Sequence, residues 1–156
     1  MYRNINDFLN DWQFEVARTI PVFSSVSKEA LCEDVHADVR SLQKVMWHLV
    51  ETMPEMGAAA GLFAENPLNG VEAPNSVEEI IEQYKIYAEQ LGKAVHSKWT
   101  DSVLEDEIDM YGDVWTKGKA LQVFILHQAH HRGQMTIMMR LLGLPVPAVY
   151  GPTKED

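Results

Sequence analysis

His127-Gln128-Ala129-His130-His131-Arg132-Gly133-Gln134 sits inside a run, from about Ala120 to Leu142, whose apolar residues recur with helical spacing. At about 100° per residue, Ala120, Val123, Phe124, His127, His131, Gln134, Met138 and Leu141 share one face, apolar except at its middle. His127 and His131 therefore point the same way from adjacent turns, close enough to hold one metal ion. A third ligand has to come from elsewhere in the chain. His130 is rotated about 60° from His127, away from His131, which gives it a supporting role.

Working outward, this fourth helix begins near Thr116 to Lys119 and ends at Gly143, before Pro145-Val146-Pro147. A second apolar stripe, Leu121, Ile125, Met135 and Met139, marks the helix as either central or a dimer interface, and a homodimer through this region is the expectation. Ser41 caps a second helix that carries Leu42, Val45, Met46, Leu49, Met53 and Met56, with Pro54 inside it. His48 lies at the edge of that stripe, with Glu51, Thr52 and Glu55 on its side, and is the available third imidazole.

A first helix runs from about Ile5 to Val22 on Phe8, Leu9, Trp12, Val16 and Ile20. A third follows Ser76, with Glu79 as its capping-box partner and Ile80, Tyr84, Tyr87, Leu91 and Val95 as its buried face. Ser24 to Asp38 reads as a long connection with one helical turn around Lys28 to Cys32. Glu33-Asp34-Val35-His36 has the Glu-x-x-His spacing of di-iron bundles, but that chemistry needs two copies, so His36 reads as a surface or capping residue. Ile108 to Trp115 suggests a hairpin around Gly112-Asp113. The fold class is all-α: a four-helix bundle over residues 1–156, one domain, with a long helix 1–2 connection and a small irregular or hairpin segment before helix 4.

A net charge of -10 and a pI near 5.0 argue against nucleic acid and anionic membrane partners, which reward concentrated Lys and Arg. The single cysteine, Cys32, permits no intrachain disulfide. No signal-peptide stretch or membrane-length apolar run is visible, and a cytoplasmic protein with a small-molecule substrate is the expectation.

Three neutral imidazoles suit a borderline divalent ion such as zinc or nickel and leave coordination positions open. An ion so held activates a bound water or converts a thiol to thiolate. Glu51 or Glu55 is then a candidate to accept the proton or orient a histidine, against the bland reading of solvated helix carboxylates. Gln134 is placed to hydrogen-bond a ligand or a bound water. Arg132 has two equal readings, binding an anionic group or pairing with an acid.

Trp47-His48-Leu49, the segment His127 to Gln134, and Arg140-Leu141-Leu142-Gly143-Leu144-Pro145-Val146-Pro147-Ala148-Val149-Tyr150-Gly151-Pro152 together resemble the DinB-like family of metal-dependent enzymes. The resemblance is strongest from about Gly112 to Pro152, fair around Arg40 to Thr52, and weak in helices one and three. It implies a four-helix bundle, often dimeric, with a divalent metal on His48, His127 and His131. The superfamily includes bacillithiol-type S-transferases and mycothiol-dependent isomerases, so the resemblance implies a low-molecular-weight thiol as cosubstrate, attacking a small electrophile. The alternatives are a hydrolase using metal-bound water and a non-catalytic metal- or ligand-binding dimeric bundle in stress response.

Overall fold

Every long helix begins where a short polar side chain accepts hydrogen bonds from first-turn amides that have no partner within the helix. In the computed structural model, which describes residues 1–154, Asn4 caps α1 (Ile5–Ser24) by accepting from the amides of Asn6 and Asp7. Ser41 accepts from Lys44 at the start of α2 (Leu42–Ala59), Ser76 from Glu79 at α3 (Val77–Lys98), and Thr116 from Lys119 at α4 (Lys117–Leu141). Of the expected capping box, the bond from the Glu79 amide to the Ser76 hydroxyl forms, and that hydroxyl in turn donates to the Glu78 carboxylate at 2.9 Å. Gly143, left-handed at φ 71°, turns the chain out of α4 as its position predicts.

The helices pack in the ring order α1, α3, α2, α4. Helices α1 and α2 are thus diagonal, as are α3 and α4, and each of those connections must cross an end of the bundle. The first does so with a loop holding one 3₁₀ turn, Ala30–Cys32. The second uses a 3₁₀ turn, Asp101–Val103, and an antiparallel hairpin of β1 (Glu107–Met110) and β2 (Asp113–Thr116). Its two-residue turn is Tyr111-Gly112, at φ 62° and 85°, one residue earlier than the sequence suggests. Both turn positions need positive φ to match the strand twist, and Asp113 already pairs with Met110.

The core is apolar and aromatic: Phe8, Phe23, Leu31, Met46, Leu49, Met53, Ile80, Tyr84 and Leu91 are fully buried. Leu121, Met135 and Met139 are fully buried within this one chain. Each contributes roughly 1.5–3 kcal/mol by burial, which accounts for these three members of the second α4 stripe as core without a partner subunit, and the fourth, Ile125, is half-buried against that core. That is the central-helix alternative, and it removes the sequence argument for pairing through those residues.

A polar network crosses the bundle on the α1 side of α4. Arg132 donates to Thr19 Oγ1 at 2.8 Å and to the Glu15 carbonyl at 3.2 Å, and its other terminal nitrogen meets the Glu15 carboxylate and the Tyr150 hydroxyl. The Tyr84 hydroxyl donates to Gln128 Oε1 at 2.8 Å. The C-terminal tail is drawn into this network through Tyr150, which also stacks on Phe14, so it folds back along α4 toward α1. Among the described residues no helix is long and apolar enough to cross a membrane.

Candidate metal centre

The ring order makes α2 and α4 neighbours, and this brings His48 to the pair on α4. His127 Nε2 lies 3.2 Å from His48 Nε2 and 3.1 Å from His131 Nε2. All three ligand atoms fall within 4.8 Å of one another. Nitrogens bound at about 2.0–2.1 Å to one tetrahedral ion lie roughly 3.3–3.4 Å apart, so the observed spacing fits a shared cation. Ordinary hydrogen bonding fits it less well. One ring nitrogen carries either a proton or a lone pair, and His127 Nε2 faces two neighbours.

Charge and burial favour the neutral, ligating form. Burial first, then the neighbouring imidazoles, lower the pKa of His127 to about 3. Burial, His131 and Arg40 lower that of His48 to about 4. His131 is also lowered, mainly by burial, with its Gln134 contact acting the other way. The Gln134 carbonyl oxygen lies 2.7 Å from His131 Nδ1, where it accepts the Nδ1 proton and leaves the Nε2 lone pair directed at the other two rings. Gln134 thus contacts one of the three clustered histidines directly. His130 packs its ring edge-on to His131, with centroids 4.7 Å apart, and stays outside the ligand cluster.

The other candidates are placed differently. Arg132 takes the acid-pairing alternative: it is buried against Glu15, on the α1 side of α4 and away from the histidines. Helical rotation is the reason, since residue 132 lies about 100° from 131. Among the described residues no hydrogen bond joins Glu51 or Glu55 to the three histidines, so neither orients a ring. Glu55 accepts from the Tyr111 hydroxyl at 3.3 Å, tying the hairpin to α2. Glu51 lines a cavity with His48, and its pKa is raised by burial and then by Glu55, with Arg40 opposing. His36 accepts the Asp38 amide proton at Nδ1 and takes no part in the cluster, as a capping histidine would.

Two cavities meet at His48. One, of about 820 Å³, is bounded by His48, His131 and Gln134 and walled by Val45, Ile137, Met138 and Leu141. The other, of about 570 Å³, is polar and lined by Lys44, Trp47, Glu51 and Glu72. Arg40 borders both. Sequence reasoning passed over Arg40. Its one signal was its place directly before the cap of α2, where a cation opposes the helix dipole and so has no helical reason to be there.

The sequence profile of the DinB family matches residues 1–156. The protein YrdA of Bacillus subtilis (strain 168) is 32% identical over 156 residues, covering 100% of this chain and 93% of the relative. A crystal structure of a DinB-like protein from Bacillus cereus ATCC 10987 superposes with a TM-score of 0.88 at 33% identity, over 96% of this chain and 100% of that one. A second DinB-like structure, YjoA of Bacillus subtilis, shares the fold at a TM-score of 0.72 and 17% identity, over 92% of this chain and 97% of that one.

Proposed function

Since the chain belongs to the DinB family, we propose that His48, His127 and His131 hold one divalent ion, zinc or nickel, at the centre of an enzyme that activates a low-molecular-weight thiol for attack on a small electrophile. The observation that carries this reading is the convergence of three neutral Nε2 atoms at the meeting point of two open cavities. Such an ion, when bound, supplies the Lewis acidity that keeps a thiol ionised near neutral pH.

The residues of the chain divide the remaining work. Gln134 fixes the His131 tautomer and ring orientation. Glu51, beside His48 and with its proton affinity raised, is the group placed to take up the thiol proton. Lys44, Glu51 and Glu72 make the polar cavity suited to a thiol that carries both amino and carboxylate groups. The apolar cavity receives the electrophile. Two chemically distinct cavities favour transfer between two organic substrates over hydrolysis, which needs room for one.

Turnover tests the reading. Metal-loaded protein is assayed with cysteine and other amino-acid thiols against an aromatic chloride, and with an activated ester in the absence of thiol. Thiol-dependent turnover that a chelator abolishes is the expected result. Ester cleavage without thiol would move the assignment to a hydrolase, and no turnover with metal bound would leave a binding protein.

The expected homodimer through α4 is carried as a second proposal, now on Leu126, which is 55% exposed, in place of the buried stripe. Light scattering at two concentrations reads it. A monomer mass at both contradicts it.

A further inference from the structure

The 820 Å³ cavity has a wall that water-facing helices do not ordinarily keep. Ile137 and Leu141, one turn apart on α4, are 59% and 69% exposed, and both face this space together with Val39 from the α1–α2 connection. Large apolar side chains grouped at a cavity mouth mark a place where apolar ligand surface is covered. The cavity floor is the metal centre itself, since His48 and His131 line it. Its one permanently charged cation is Arg40.

Arg40 stands close enough to both histidines that its charge contributes to lowering their basicity, and it acts on Glu51 as well. Among the described residues no carboxylate lies within ion-pair distance of it. The acid on the same rim, Asp38, is held 3.7 Å from His36 and is almost fully exposed, so water screens it. In a chain of net charge -10, an unpaired guanidinium beside the centre favours an anion there, and in the larger cavity Arg40 is the only lining group that is always cationic.

We propose that this cavity binds an amphipathic monoanion, an electrophile whose carboxylate pairs with Arg40 and whose apolar body lies on Val39, Val45, Ile137 and Leu141. The assignment rests on the transferase reading for the word electrophile, but the binding site itself does not. Guanidinium and carboxylate pair through two parallel hydrogen bonds, which discriminates an acid from an alcohol or amine of equal length.

The test is calorimetric titration of the full chain with octanoate, 1-octanol and octylamine, on metal-free protein so that a carboxylate cannot bind the ion. Octanoate is expected to bind about fivefold to tenfold more tightly than octanol, with octylamine weakest. Arg40→Gln should bring octanoate down to the octanol value, and Ile137→Asp should weaken octanoate and octanol alike. Val16→Asp, in the separate apolar groove between α1 and α3, should leave all three affinities unchanged. Equal affinities for the three ligands, an anion preference that survives Arg40→Gln, or loss of binding through Val16→Asp would each overturn the proposal. A dimer that Ile137→Asp dissociates would also overturn it, since a second copy would then cover the cavity. Metal content, measured on the same preparations, reports on the three-histidine site independently of the cavity.

Discussion

Gln134 acts on the centre through one hydrogen bond, from His131 Nδ1 to its carbonyl oxygen at 2.7 Å. Gln134→Leu removes the acceptor and keeps the bulk on an exposed helix position, so the fold should stand while the ring loses its fixed tautomer. Metal affinity should fall by roughly 10–100-fold, read by competition with a chromogenic chelator, with the melting temperature of the metal-free protein nearly unchanged. Protons compete at the same nitrogens. In the metal-free folded protein His48 and His127 titrate near pH 4 and 3, below the unfolded value of about 6.5. The unfolded chain therefore binds more protons between those limits, and stability present above pH 6.5 is lost as the pH falls toward 4. Denaturant melts of metal-free protein at pH 7.5 and 5 should show a lower midpoint at pH 5, and a His127→Phe variant should show a smaller drop. The i, i+4 pair was legible in the sequence because helical periodicity alone aligns it. Arg40 was not, because it lies at the end of an irregular connection where periodicity carries no information.

At the scale of elements, α4 is fixed at its start by close backbone contact. The Gly118 amide donates to the Leu104 carbonyl at 2.8 Å, and its own carbonyl accepts from Tyr2 at 3.2 Å. A Cβ at Gly118 would run into the Tyr2 and Leu104 carbonyl oxygens, whereas one at Gly133, in the same helix, would meet nothing within 4 Å. Gly118→Ala should then cost about 1–3 kcal/mol through backbone displacement, and Gly133→Ala should stabilise by up to about 1 kcal/mol through helix propensity. Chemical denaturation of the two variants reads both signs. The Ser41 and Ser76 caps and the approximate starts of the four helices were legible because they depend on a few local residues. Two features were not. The hairpin turn fell on Tyr111-Gly112 because strand register, set across the pair, decides which residues take positive φ. The Leu121, Met135 and Met139 stripe has the same spacing whether it meets the chain's own core or a second copy, so only the packed structure tells them apart.

Over the whole molecule, the polar centre of Glu15, Thr19, Arg132 and Tyr150 ties α1, α4 and the tail together on the side away from the histidines. Arg132→Met leaves the Glu15 carboxylate buried without its cation and should cost about 3–5 kcal/mol. Because that network shares no hydrogen bond with the three clustered histidines, metal affinity of the still-folded variant should stay within about threefold of wild type. The course of the tail after α4 was not legible, because the buried acid on α1 that draws Tyr150 could not be matched to it without the ring order of the helices. That same order, α2 beside α4, is what converts three separated histidines into one centre. The direct measurement is metal stoichiometry by mass spectrometry and calorimetry on wild type, His48→Ala, His127→Ala and His131→Ala. One equivalent of divalent ion per wild-type chain, lost or weakened at least about 100-fold in each variant including His48→Ala, is the predicted result. Stoichiometric metal at unchanged affinity in His48→Ala, or no uptake by the wild type, would contradict a three-histidine metal centre.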